Sequence, residues 1–279
     1  MKDYILIPIL FLIAYGAGGQ TANHGMLYVS PETLLSTVAP LENGNTGKIY
    51  NDGQFYVYSH FDNLGEYDFY QPSGNTLFWG MGTQQLSGTS PIYLNNVSFQ
   101  NNSGDSPFHL SGNVYIEGHA DFQAGIVDNR NYGGNFIFQP NATHSNTSHD
   151  SHVDGEVAKV GQEDFVFPIG DATYYRFAGI SSPTQSQAQY KATYFRENSN
   201  DIHPHSQRAG VIAEIDNAEY WQIVPQDNSE QLFITLSYAE ETTPQPLIQA
   251  ASREELTIVR WDETEKLWIN EGGAIDQAN

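Results

Sequence analysis

The chain has 279 residues, with 33 Asp and Glu against 11 Lys and Arg, a formal charge of −22, and no cysteine. That balance repels phosphate backbones and anionic headgroups, which argues against nucleic acid and membrane surfaces as partners, and the core must hold without disulfides. Charged residues make up 16% and aromatics 13% amid abundant Gly, Asn, Ser and Thr, a profile of an all-β exported protein rather than a helical cytosolic enzyme; the length suits one large or two ordinary domains.

Met1, Lys2 and Asp3, the apolar run "YILIPILFLIAY" and the small-residue tail "GAGGQT" read as a secretory signal peptide over residues 1–19. The run is shorter than the ~20 apolar residues that span a bilayer. Ala17 and Gly19 hold the small-residue positions, so cleavage is expected before Gln20. The protein is therefore expected to be exported to the cell surface or beyond, with no membrane insertion after signal removal. Sequons at Asn96, Asn101, Asn141 and Asn146 arise easily by chance in such a composition and weigh little.

From 20 to 155 short runs such as "QFYVY", "EYDFY", "TLFW", "NVYI" and "NFIF" alternate with "NDG", "NLG", "PSGN" and "NYGGN". Asn and Gly accept left-handed backbone angles at little cost, so the punctuation marks turns. Short strands with Asn at the corners predict a parallel β-solenoid (β-helix-like), in which neighbouring coils bury each other's inward residues. The repeat is degenerate, and the spacing does not define a coil length.

From 156 to 279 the strands lengthen: "FVFPIG", "YYRFAGIS", "AQYKATYF", "AEYWQIV", "QLFITLSY", "LTIVRW" and "KLWIN". In "QLFITLSY", Leu232, Ile234, Leu236 and Tyr238 share one face, the mark of a half-buried antiparallel strand. This half is predicted to be β-sandwich-like, with a hairpin turning at "DETEK" and a helical turn near "PHSQRAGVIAEI". The ending "NEGGAIDQAN" suggests a domain incomplete at its C-terminus, with further domains downstream.

The pieces "HVDGEVAKVG", "FVFPIGD", "YYRFAGIS", "DNAEYWQI" and "RWDETEKLW", with the stretch at 27–70, resemble large exported surface proteins of Bacteroidetes. That resemblance implies an adhesin-like or surface-structural role, type IX secretion and sometimes a gliding-motility association. It carries no catalytic residues, and no sorting domain is present in this sequence.

Residues 144–155, "HSNTSHDSHVDG", hold three histidines and two aspartates. An extended segment places His149 and His152 on opposite sides and puts Asp150, His152 and Asp154 on one face. With Val153 and Val157 inward, that row is expected in solvent, as a seam between two textures rather than a metal site. Zinc wants preorganised nitrogen or sulfur ligands, and calcium wants six or more oxygens. Asp171 after the Gly turn of "FPIGD" is a weaker calcium candidate, more simply a turn residue. His203, His205 and Arg208 surround Pro204 and are read as a surface loop.

No Gly-x-Ser-x-Gly turn is present, and no catalytic or cofactor-binding residue is assigned. A lyase acting on acidic glycans needs positive charge, and the first half offers only Lys48 and Arg130. Rings for stacking on sugars exist at Tyr56, Tyr58, Tyr67, Phe69, Tyr70, Trp79, Trp221, Trp261 and Trp268. Their alternation with polar residues favours interior ladders, at about 0.2–1 kcal/mol per pair. The sequence thus points to a non-enzymatic surface protein that contacts glycan, protein or solid surfaces; the alternative is a glycan-active β-helix hydrolase or lyase, or its carbohydrate-binding portion.

Overall fold

The computed structural model describes residues 19–226 and 230–275; the expected signal segment, Gly19 apart, lies outside them. The chain winds into a parallel β-solenoid of about seven turns followed by antiparallel strands. Among the described residues no helix is long and apolar enough to cross a membrane.

Each coil contributes to three faces. Face 1 stacks Thr21–Asn23, Leu41–Asn43, Phe61–Asn63, Gln84–Ser87, Phe108–Leu110, Val127–Asp128, Val153–Asp154 and Ile169–Asp171. Face 2 begins with Met26–Val29, Lys48–Asn51 and Glu66–Asp68, and face 3 with Leu34–Thr37, Gln54–Val57 and Asn75–Gly80. The long strands Ile92–Asn101 and Asn113–Ala124 then cover faces 2 and 3 together, with a register shift between Leu94 and Asn96. Asn135–Phe138 and Val157–Val160 complete face 2, and Thr143–Ser145 continues face 3.

Alternation decides which side chains enter. In Gln54–Val57, Phe55 and Val57 are buried while Tyr56 points out. Inward residues then meet their counterparts one coil away. On face 2 the row Ile49, Tyr67, Ile92, Val114, Phe136, Val157 runs through successive coils, and no member exceeds 1% exposure. On face 3, Phe78, Phe99 and Phe122 stack at 5.6 Å intervals. Burying one such side chain contributes about 1.5–3 kcal/mol relative to leaving it in water.

The sequence spacing is irregular because the corners absorb the difference. Leu41, Phe61, Leu86 and Leu110 stack directly on face 1 although 20, 25 and 24 residues separate them. At the corner between faces 1 and 2 the chain leaves the sheet ladder, and its carbonyls need donors. Asparagines supply them. Asn23 Nδ2 donates to Asn43 Oδ1 at 2.8 Å, and Asn43 Nδ2 donates to Asn63 Oδ1 at 2.7 Å. The same amides reach across the corner to the carbonyls of Lys48, Glu66 and Pro91. Asn43 and Asn63 are fully buried. Gly88, at φ +121°, passes so close to the Asn63 backbone that a side chain there would overlap it.

Parallel pairing runs past residue 155, the expected boundary, and ends at Ile169–Asp171. Beyond it the strands reverse, and the antiparallel part begins on the solenoid's own strands. Tyr174–Tyr175 folds back on Ile169–Asp171, Gln189–Phe195 lies antiparallel on Val157–Val160, and Ala178–Ile180 does so on Phe165–Phe167. Tyr220–Pro225 and Ile234–Leu236 extend these pairings. Leu232, Ile234 and Leu236 pack on the main core, and Phe233 points out at 87% exposure. Beneath these strands Arg176 Nε donates to Thr242 Oγ1 at 2.7 Å and lies 3.6 Å from Glu219 Oε2. Tyr194 Oη also donates to Glu219, at 2.7 Å.

A second small core gathers Ile212, Ile215 and Trp268 beside the hairpin of Ile258–Asp262 and Leu267–Gly272. The hairpin turns where "DETEK" predicts. The stretch 204–215 is itself irregular; the helical turn expected near it is a 3-10 turn at Ser199–Asp201, just before it, and an α-helix forms at Gln245–Ser252, just after Pro244.

The corner ladder predicts a large effect from a small change. Asn43→Ala strips a donor from the Glu66 carbonyl and from Asn63 Oδ1, and an acceptor from Asn23. Urea unfolding should show a loss of about 2–4 kcal/mol, whereas the exposed Asn102→Ala should stay within about 0.5 kcal/mol of the parent.

Candidate functional site

The histidine-rich seam does not lie on the surface as expected. Asp150 and His149 are exposed, but His152 is 0% and Asp154 6% exposed. The strand there is only Val153–Asp154; it pairs with Ile169–Asp171, on whose far edge Tyr174–Tyr175 folds back. The His152 ring lies 5.9 Å from Tyr175. Its Nδ1 donates to the Ser148 carbonyl at 2.9 Å while Nε2 has no partner, and it sits where any side chain on Gly170 would have to go. Burial pushes its pKa down to about 4.

Asp154 is held by Arg130 Nε at 2.7 Å and by the Ala172 N–H at 3.0 Å. Arg130 Nη2 continues to the carbonyl of Tyr194 at 2.7 Å. This guanidinium thus binds the last coils to the reversed strands. Asp171 accepts the Arg196 N–H at 3.1 Å and lies 3.6 Å from Arg130, so it ties neighbouring strands together rather than bonding the backbone of its own turn. Lys48 is paired with Glu66 at 2.6 Å. Among the described residues no group of three or more His, Cys, Asp or Glu is placed to hold a metal ion.

His144, the first of the three histidines in that stretch, also turns inward. Its ring lies 5.6 Å from Phe165 and 5.8 Å from Phe138. Nε2 donates to the Val166 carbonyl at 2.6 Å, Nδ1 has no partner, and burial lowers its pKa. His203 stacks on Trp261 at 4.5 Å and His205 bonds Ser199 Oγ at 2.8 Å; Arg208 stays exposed. The segment is a loop, as expected, with Arg208 exposed and both histidines partly exposed while their rings lean on Trp268.

The aromatics divide. Tyr67 is interior and Trp268 is buried. Trp221 packs against the main core and Trp261 against the second. On face 2, Tyr70 stacks on Tyr50 at 4.2 Å, and the Tyr50 and Tyr28 hydroxyls are bound to Glu66 and Asp52. Phe69 is half-buried.

The exterior of face 3 is different. Tyr56 lies 6.1 Å from Tyr58 and 6.2 Å from Trp79. Tyr58 is 38% and Trp79 39% exposed, with Met81 beside them at 92%. The register places Gln54, Asn75, Asn96 and His119 in one outward row across four coils. Ser98 and Asp121 pair in the next row. These six line an open depression of about 340 Å³. A second depression, about 270 Å³, lies against Trp79 and Met81 with Gln100, Asn102 and Ser103.

His119 is fixed between Thr143 Oγ1 and Ser145 Oγ, both at 2.8 Å. Asp121 accepts amide N–H groups from Gln123 and Asn146, each at 2.7 Å. Among the described residues it is the sole carboxylate lining the first depression. Sequence reasoning named Tyr56, Tyr58 and Trp79 but favoured interior ladders for them, which the exposure of Tyr58 and Trp79 corrects, and it missed the polar row. The signal was present in "LNNVSFQ", where Asn96, Ser98 and Gln100 alternate with apolar residues, yet assigning them to one face with Gln54 and His119 needs the coil register. Comparison with known protein families, curated proteins and solved structures finds no match for the chain.

The buried imidazole of His152 implies acid sensitivity. It stays neutral when folded and protonates near pH 6.5 when unfolded. Its contribution is therefore complete above pH 7, falls as pH drops from 6.5 towards 4, and levels off below, for a loss of roughly 3 kcal/mol. Urea unfolding at pH 7 and pH 4 should show a smaller acid loss in His152→Asn than in the parent. Equal losses would contradict the assignment.

Proposed function

We propose that the chain is a non-enzymatic exported cell-surface protein, an adhesin-like or structural module that makes contact through face 3. The observation that carries the reading is the contrast between the two sets of polar side chains. The corner amides are engaged inside the protein, whereas Gln54, Asn96 and Gln100 have no side-chain partner among the described residues. They lie beside an exposed aromatic cluster on a stacked-sheet scaffold whose geometry a ligand need not create. Preorganised surface of this kind supports recognition at low ordering cost.

A second reading, a glycan-active β-helix enzyme, draws on His119 and Asp121 lining the same depression. Glycosidic hydrolysis commonly uses two carboxylates, and the two oxygens of Asp121 are each taken by an amide, which favours the contact role.

Beads coated with the purified protein should adhere to polysaccharide-coated or apolar surfaces, and Tyr56→Ala/Trp79→Ala should reduce retention at least tenfold with an unchanged circular dichroism spectrum. Release of reducing ends from any polysaccharide, lost in Asp121→Asn, would support the enzyme instead.

A further inference from the structure

We infer that the ligand of face 3 is an uncharged polysaccharide, seated with its rings against Tyr56, Tyr58 and Trp79 and its hydroxyls on the amide row. This rests on the contact reading above and names the chemistry it serves.

Three properties of the surface lead there. The first is charge. Neither depression is lined by Lys or Arg, Asp121 lies in the larger one, and the whole chain carries −22. Uronate, sulfate and phosphate groups would meet repulsion with no compensating cation. The second is the pairing of chemistries. Tyr58 and Trp79 are each more than a third exposed on either side of Tyr56, giving aromatic surface of the kind that matches the C–H face of a pyranose. The unengaged amides of Gln54, Asn96 and Gln100 each offer both donors and an acceptor, which suits hydroxyls that both give and take hydrogen bonds.

The third is repetition. Gln54, Asn75, Asn96 and His119 are successive register partners, one strand spacing, about 4.8 Å, apart. Asn75 donates to Ser98 Oγ and both His119 ring nitrogens are held by Thr143 and Ser145, so the unengaged amides of Gln54 and Asn96 recur at two spacings, roughly 10 Å, an interval that a polymer of similar units can meet. The row spans three steps, roughly 14 Å, which is about the length of three sugar rings. A globular protein partner would instead be expected to need a standard interface of about 800 Å² per side with an apolar centre. Here both depressions are lined mainly by polar side chains, and Trp79 and Met81 line only the smaller one.

Isothermal titration of the purified protein with neutral β-glucan, xylan and mannan oligosaccharides, one to six units long, tests the inference alongside a polyuronate series. For at least one neutral series, affinity should rise up to three or four units and then flatten. Trp79→Ala should weaken binding at least tenfold and Asn96→Ala three- to tenfold. Tyr115→Ala, on face 2, should leave it unchanged, and melting curves should confirm that each variant folds.

Polyuronate binding equal to or tighter than neutral binding would overturn the inference, as would neutral binding indifferent to Trp79→Ala. If no soluble glycan binds but bead adhesion persists and depends on Trp79, the glycan ligand is refuted and the contact reading stands. If neither glycan nor surface is bound, both fall.

Discussion

Everything in this molecule depends on coil-to-coil register. Backbone pairing, the apolar rows and the asparagine ladder all repeat at the same interval, so one offset satisfies all three at once. A one-residue slip would turn Phe55 and Val57 outward and Tyr56 inward. It would also detach Asn43 from Asn63. Because the three demands coincide, a chain without disulfides can hold irregular coils in one arrangement.

That common register also explains what sequence could and could not disclose. The all-β class and the solenoid were legible because inward and outward residues alternate over very short runs and Asn–Gly corners interrupt them. Coil length was not, because corners of unequal length hide a constant three-dimensional step: Leu41, Phe61 and Leu86 coincide on face 1 although no fixed period links them. The reversal of strand direction was legible in part. Leu232, Ile234 and Leu236 declared a half-buried strand, but nothing local said that the antiparallel part would begin on the solenoid's own strands.

The same limit governs the candidate site. A cluster crowded in sequence, "HSNTSHDSHVDG", drew attention through composition, yet the fold disperses it: His144 and His152 face apolar surroundings, Asp154 is bound to Arg130, and His149 remains outside. The residues that do share a surface, from Gln54 to His119, are scattered along the chain and unite only across coils. In a solenoid, proximity in sequence runs around the coil and proximity in space runs along the axis. Polar residue type therefore says little until the direction is known. Asn43 and Asn96 are the same amide; one is consumed by the scaffold and the side chain of the other has no bond among the described residues.

The reversed strands have a mechanical corollary. In the solenoid, strands lie across the long axis, so tension along that axis would open hydrogen bonds one ladder at a time, as a zip fails. The caps on faces 1 and 2 are antiparallel, and Arg130 connects Asp154 of one face to the Tyr194 carbonyl of the next strand layer. A pull entering through the C-terminal strands is thus shared between several edges before any coil can peel. With the load shared at that junction, the ladders of the stack below, which open singly, would set the force at which the molecule yields.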